Sequence, residues 1–275
     1  MRLGSVAASC GWQPRMLAGM DPLRVAVLAC TATADVAANR QAIAAAIAQA
    51  AGRADLLLTP ECALCGYPVA TGALAPESCA LAEAEEQLGA LAARHRLGLV
   101  LGTAGPDGQG GAWNLAVVGG TLPTQRLAKR VLTPADRAWF VPGPSRNLVV
   151  TVGAWQVAVG ICYEIRQARW WYEAAAAGAD AAVVLAHQAG ADPDPGTKAA
   201  VLPALHAARA AELAMPLVLS NTAAPDRWLD SAAWDARGMC TQRLGAGLML
   251  VELLHRSRLD PWYEGVRRDA LAAWR

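Results

Sequence analysis

From Leu23 onward, short apolar runs alternate with alanine-rich stretches of helical character, and this alternation constrains the fold more than any other feature. Strand-like runs lie at Leu23–Cys30, Asp55–Thr59, Gly98–Thr103, Asn114–Val118, Leu148–Val152, Val157–Ile161, Ala181–Leu185, Leu217–Ser220 and Gly247–Glu252. Helical patterns occupy Ala34–Ala51, Glu77–His95, Arg166–Ala177 and Thr197–Ala214. Strands separated by helices predict an α/β architecture. Asp55–Thr59 and Ala181–Ala186 are apolar on both faces, as central strands covered on both sides are. Trp113–Arg126 instead reads as two adjacent strands around Gly119-Gly120, a hairpin. Helix-separated strands mixed with a hairpin point to a layered sandwich rather than a purely parallel sheet.

With 275 residues, a chain buries roughly three quarters of its unfolded surface and needs no staples. No repeat, low-complexity linker or compositional break divides it. The expectation is one domain over 22–275, preceded by a loosely structured extension over 1–21. Met16 and Met20, just ahead of the first strand, are alternative starts. The proline- and glycine-rich stretch Ala189–Gly196 is the longest predicted surface loop. Ten Trp against four Tyr and one Phe leave most aromatic packing to tryptophan. The net charge of +1, from 24 basic and 23 acidic interspersed residues, gives no basic stripe for nucleic acid or anionic membrane. No apolar run approaches the ~20 residues that cross a bilayer, and the N-terminal stretch is too short and polar for a secretion signal. Seven cysteines, an odd number without framework spacing, suit reduced thiols in a cytoplasm.

Three segments can carry chemistry. Cys162 ends the apolar run Trp155–Ile161 and precedes a helix, so its sulfur stands at a sharp turn with backbone N–H groups nearby. Such a turn can lower a thiol pKa and hold an oxyanion, although most free cysteines are simply small buried apolar residues. Glu61 follows the apolar run ending at Thr59, at the carboxyl end of a strand, where α/β sheets bind ligands; a surface glutamate is the plainer reading. Lys129 lies between Leu122–Leu127 and Val131–Pro134, either drawn inside to pair with a carboxylate or solvated on an edge strand.

In combination and in order, these segments resemble the nitrilase superfamily, the carbon–nitrogen hydrolases. Leu58-Thr-Pro-Glu-Cys-Ala-Leu-Cys-Gly-Tyr-Pro68 matches the family's Glu motif. Lys129-Arg-Val-Leu-Thr-Pro134, continuing to Phe140-Val-Pro-Gly143, matches its Lys motif. Val159-Gly-Ile-Cys-Tyr-Glu-Ile-Arg166, with Ala177-Gly-Ala-Asp180 after it, matches its Cys motif. Ala208–Glu212, Ser220-Asn221, Ser231–Gly238 and Gly247–Glu252 resemble its late helix and closing strands, so the similarity covers about Leu23 to Arg267. The resemblance implies a four-layer αββα sandwich. It implies Glu61 as base, Cys162 as nucleophile, and Lys129 with the Tyr163 backbone N–H as oxyanion donors, acting on a small amide or N-carbamoyl compound with water. It implies no metal or organic cofactor and a homodimer or higher homo-oligomer, assembled through the helix after the nucleophile. Trp170 and Trp171 on that helix suit either an interface or the core.

The chain also departs from the family pattern. Asp136 stands where a second glutamate is usual, one methylene shorter, as a substrate-positioning candidate. Leu127 replaces an aromatic, and Gln167-Ala168-Arg169 replaces Phe-Pro-Glu. His187-Gln188 replaces a tryptophan near the substrate, so both are pocket candidates. Tyr163 after the cysteine, where nitrilases have tryptophan, favours an amidase-like branch. The alternatives are nitrile hydrolysis, N-acyl transfer to an amine, and an inactive scaffold. Cys62-Ala-Leu-Cys65 has CxxC spacing without the second half of a zinc site, so packing is preferred. Glu164 and Arg166 read as structural hydrogen-bonding groups, and Arg209 and Glu212 as an i, i+3 helix pair.

Overall fold

The computed structural model describes residues 20–75, 77–144, 148–191 and 195–274. Residues 1–19 of the expected extension, and 192–194 of the expected surface loop, therefore lie outside the described residues. Strand β1 (Leu23–Ala29) leads into α1 (Val36–Ala50), where Asp35 caps the helix by accepting from the Ala37 and Ala38 N–H groups. Then follow β2 (Leu56–Leu58), the single turn α2 (Pro68–Thr71), α3 (Cys79–Arg94), β3 (Gly98–Pro106), β4 (Ala112–Gly120) and β5 (Gln125–Ala128). The second half comprises β6 (Leu148–Val152), β7 (Trp155–Ile161), α4 (Ala168–Ala176), β8 (Ala181–Ala186), α5 (Pro195–Glu212) and β9 (Leu217–Asn221). It closes with β10 (Ser231–Trp234), β11 (Cys240–Leu244), β12 (Gly247–Leu253) and α6 (Pro261–Trp274).

The strands form two six-stranded mixed sheets, ordered β12-β1-β2-β3-β4-β5 and β11-β10-β9-β8-β7-β6. Each has three parallel central strands, β1-β2-β3 and β7-β8-β9, with antiparallel partners outside them. β2 and β8, apolar on both faces, are central and wholly buried. In the first sheet the two-residue period of a strand divides the core. Val25, Val27, Leu56, Leu58, Val100, Ala116, Val118 and Leu127 face the second sheet. Ala26, Leu57, Leu99, Leu101, Leu115 and Val117 face α1 and α3, whose buried stripes carry Ile43, Ile47, Leu81 and Leu88. Contacts of β1 with β9, β2 with β8 and β4 with β7 seat the sheets face to face, while α4, α5 and α6 lie on the far side of the second. The architecture is the αββα sandwich.

Several details differ from the sequence expectations, and β11, polar and largely exposed, was not among the predicted strands. Gly119 and Gly120 are the last residues of β4, paired with Leu99 and Gly98, so the hairpin reverses at 121–124. Trp170 and Trp171 are both buried within this chain, the second donating its indole N–H to the Ile165 carbonyl at 2.6 Å, so they are core. Helix α6 was not foreseen. Of its residues only Arg267 is buried, donating to the Leu213, Ala175 and Ala179 carbonyls, while Ala270 and Leu271 pack partly buried against the core and Trp274 stacks on Tyr172.

Candidate active site

The carboxyl ends of β2, β7 and β8 converge where the two sheets face each other, and chain turns deliver side chains into that junction. After β2, Thr59 anchors the backbone: its hydroxyl oxygen accepts the Gly102 N–H at 2.9 Å. The chain then crosses β3 so closely that a Cβ on Gly102 would lie 2.0 Å from the Pro60 carbonyl oxygen. Glu61 comes next, its N–H reaching the Ala186 carbonyl of the opposite sheet at 3.4 Å. Cys62 then takes φ +53°, a left-handed conformation uncommon for a non-glycine residue.

Lys129 follows β5 on the inner-face register of Leu127. Its N–H donates to the Asn114 carbonyl at 2.8 Å, and its own carbonyl accepts the Gly143 N–H at 2.8 Å. The ammonium is fully buried and donates to Glu61 Oε1 at 2.7 Å and Asp136 Oδ2 at 2.8 Å. An ammonium in an apolar interior requires such partners. Asp136 opens a short 3-10 turn (Asp136–Ala138) and is also buried. Its Oδ1 accepts the Tyr67 hydroxyl at 2.6 Å, and its Oδ2 the Thr133 N–H at 2.8 Å. Burial opposes ionisation of Asp136, but Lys129, Tyr67 and Thr133 outweigh it and hold its pKa below the usual value. Burial likewise works to neutralise Lys129, and the negative charge of Glu61, with that of Asp136 and of Cys162 once it is a thiolate, reverses this and keeps it protonated.

Cys162 begins a 3-10 turn directly after β7, at φ +46° and nearly buried. Glu164 braces this turn, accepting the Ile161 N–H on Oε2 at 3.1 Å and the Arg130 N–H on Oε1 at 2.7 Å. The Cys and Lys segments are thereby fastened together, which is the structural role read for Glu164 in the sequence. Arg209 and Glu212 pair at 2.7 Å as read. The turn does not lower the thiol pKa. Burial, and then the negative charge of Glu61, push the thiol well above its ordinary value, against the pull of Lys129 and the His187 N–H. At rest the sulfur carries its proton.

His187 enters the site through its backbone, whose N–H donates to Glu61 Oε2 at 2.9 Å, and its ring stacks on Tyr67 with centroids 4.3 Å apart. Burial keeps its imidazole pKa below normal. Gln188 is held by its backbone, with its N–H on Asn221 Oδ1 at 2.7 Å and its carbonyl accepting the Trp228 N–H at 2.8 Å. Its buried Oε1 has no hydrogen-bond partner among the described residues. The Tyr163 ring lies half-buried under the Arg166 guanidinium, 5.5 Å from the ring centroid, apart from the carboxylates. The structure therefore gathers Glu61, Lys129, Asp136, Cys162 and His187, and leaves Gln188 and the Tyr163 ring outside that hydrogen-bonded set. Cys62 and Cys65 rest their thiols on the Thr103 and Cys62 carbonyls at 3.9 and 3.8 Å, in keeping with packing.

A thiol beside a carboxylate, with an ammonium between two carboxylates, can move a proton without changing the net charge of the buried set. Transfer from Cys162 to Glu61 exchanges one anion for another, so desolvation does not oppose it as it opposes thiolate formation alone. The profile of the carbon–nitrogen hydrolases matches residues 24–253. The chain belongs to the carbon–nitrogen hydrolase family. Among solved structures, this carbon–nitrogen hydrolase is similar to an amidase from Nesterenkonia sp., with 26% sequence identity over 93% of this chain and 97% of that one and a TM-score of 0.72. It is similar to a cysteine-to-alanine variant of the Nesterenkonia sp. AN1 amidase in complex with butyramide, at 25% identity over 93% and 98% of the two chains and a TM-score of 0.72. A glutamate-to-glutamine variant of that amidase, with the acetamide moiety of fluoroacetamide on its active-site cysteine, gives 26% identity over 96% and 100% and a TM-score of 0.72. A comparison with curated proteins gives no match.

Sequence reasoning assigned no role to Asn114, Tyr67 or Thr133. Asn114 was the findable one: its amide donates to Glu61 Oε1 at 2.8 Å. It interrupts the inner-face series Val118, Ala116 of an apolar strand with a buried amide.

Proposed function

We propose that the protein hydrolyses a small aliphatic amide through a thioester on Cys162, with Glu61 as base and Lys129 as oxyanion donor. The buried contact of Lys129 with Glu61 and Asp136, beside a cysteine on a left-handed turn, is the observation that carries this reading. Glu61 takes the thiol proton while the sulfur attacks the carbonyl carbon. The developing oxyanion is held by the Lys129 ammonium and the Tyr163 backbone N–H, an interaction worth ~3 kcal/mol per donor. The C–N bond then breaks as the Glu61 carboxyl group protonates the nitrogen, and ammonia leaves. Water, deprotonated by Glu61, adds to the thioester; the C–S bond breaks and the proton returns to sulfur. Asp136 positions Lys129 and, with Tyr163, His187 and Gln188, completes the substrate pocket.

The near-complete burial of Cys162, Glu61 and Asp136 supports a small substrate, as do the butyramide and fluoroacetamide of the similar amidase. We further propose that 22–275 acts as one domain, since both sheets share one core cluster. On this reading 1–21 is an extension to it. We place the protein, from the scatter of its seven cysteines, in the cytoplasm, and, from its resemblance to the family, as a homodimer or higher oligomer. Among the described residues no helix is long and apolar enough to cross a membrane.

The test is ammonia release from a panel of small amides, N-carbamoyl amines and nitriles, with wild type beside Cys162→Ala, and with an amine acceptor added in parallel. Release from small amides that disappears in the variant supports the proposal. Release from nitriles alone, or conversion of the acceptor into a new amide in place of the free acid, overturns it.

A further inference from the structure

The two oxygens of Glu61 are not equivalent. Oε1 accepts two donors, Lys129 Nζ at 2.7 Å and Asn114 Nδ2 at 2.8 Å, whereas Oε2 accepts the His187 backbone N–H at 2.9 Å. Two strong donors fill the lone pairs of Oε1, and Oε2 keeps one in reserve. We propose that Asn114 is a positioning residue that dedicates Oε1 to the Lys129 contact and leaves Oε2 as the oxygen that exchanges protons with Cys162. The inference rests on the reading of Glu61 as base.

Three observations place Asn114 in this role. Its side chain is 1% exposed on the inner face of β4, in line with Ala116 and Val118, where apolar residues would otherwise fill the core. A buried amide there costs stability unless bonded; its NH2 donates to Glu61 while its Oδ1 has no partner among the described residues. The same residue also fixes the other end of the contact, because its carbonyl accepts the Lys129 N–H at 2.8 Å. One residue thus sets the backbone that carries the ammonium and the carboxylate that receives it. On the opposite side, the His187 N–H that touches Oε2 also draws the Cys162 thiol toward ionisation, which puts Oε2 on the sulfur's side.

Glu61 is faced by Lys129, Asp136, Cys162, Cys62, Tyr67 and the backbone and ring of His187. Lys129 is the one permanent cation among these six, and the Asn114 amide is the second side-chain donor to the same carboxylate oxygen. A donor to a carboxylate favours its ionised form, and removal of one charge-assisted bond is worth ~1 pH unit in the acid limb of a pH profile.

The experiment compares the acid limb of the pH profile in wild type, Asn114→Ala, Asn114→Ser and the near-isosteric Asn114→Asp. It is read from kcat/KM on a small amide and, independently of turnover, from the rate of Cys162 modification by iodoacetamide. The proposal expects the limb to move up by ~1 pH unit in Asn114→Ala, further in Asn114→Asp, and less in Asn114→Ser, which retains an O–H donor. If Asn114→Ala does not fold, the Asp and Ser variants carry the same comparison. Loss of activity or of Tm with the limb at its wild-type pH would make Asn114 merely structural and overturn the proposal. The control is Glu61→Gln. If the acid limb persists there, the reading of Glu61 as base falls; if it vanishes there and stays fixed in the Asn114 variants, only the present inference falls.

Discussion

At the residue scale the account turns on how one ammonium is kept inside the protein. Lys129 is stable there because two carboxylates and the turn at Asp136 surround it. Replacing it by methionine leaves Glu61 and Asp136 buried and facing each other without a cation. Uncompensated buried charge of this kind costs about 3–5 kcal/mol, so urea unfolding of Lys129→Met is expected to lose that much stability along with activity. Glu61→Gln preserves shape but not basicity, and kcat on a small amide is expected to fall at least ~100-fold, the lower range for general acid–base catalysis. The convergence of Glu61, Lys129 and Cys162 was legible in the sequence because each follows a strand with a chemically capable side chain, in the order of a known family. The raised thiol pKa was not legible, since it depends on Glu61 and Cys162 arriving at one point from two different sheets. Asn114 was legible only to a reader who followed the two-residue period of β4 and asked why its inner face ends in an amide.

Element by element, the site depends on close backbone approaches that glycine permits. Gly102 lets the Thr59–Cys62 turn lie against β3, and a methyl group there would meet the Pro60 carbonyl oxygen at 2.0 Å. Gly102→Ala is therefore expected to displace Glu61 as well as destabilise the fold, lowering both kcat and Tm, whereas Gly52→Ala, in open space, disturbs only its own turn. Beyond the carboxyl end of β1, Asp35 caps α1, and Asp35→Ala is expected to cost ~1 kcal/mol in denaturant unfolding. The apolar strands were readable from their composition and flanking turn residues, whereas β11 (Cys240–Leu244), polar and largely exposed, was not. Helix α6 was not readable either, because its one buried side chain is an arginine bound to three carbonyls and its apolar contacts, through Ala270, Leu271 and Trp274, are few. The hairpin reversal was misplaced by one turn because Gly119-Gly120 imitates turn chemistry while pairing within β4.

At the scale of the whole molecule, the fold is sensitive to acid for two separable reasons. His206 on α5 is buried against Trp234, with neither ring nitrogen hydrogen-bonded among the described residues. Burial, helped by Arg166, lowers its pKa to about 3. The unfolded chain binds a proton at this residue near pH 6.5 while the folded one does not, so stability is lost as pH falls through that window. His206→Leu is expected to flatten the pH dependence of urea unfolding between pH 6 and 4. Asp180 joins the end of β12 to the body, accepting hydrogen bonds from His255, Arg256 and the Gln156 N–H. Burial raises its pKa, but these donors outweigh that and bring it down to about 2. Its contribution is therefore present above the ordinary aspartate range and disappears as pH falls from there toward 2, a loss that Asp180→Asn would remove. Neither effect touches the central claim, that Cys162 carries the acyl group. That claim is probed by acid-quenching the wild-type protein while it releases ammonia from a small amide and locating the acyl adduct by peptide mass spectrometry. The expected result is the matching acyl group on the Cys162 peptide, disappearing as the amide is consumed. Steady ammonia release with Cys162 unmodified, and undiminished in Cys162→Ala, would contradict it.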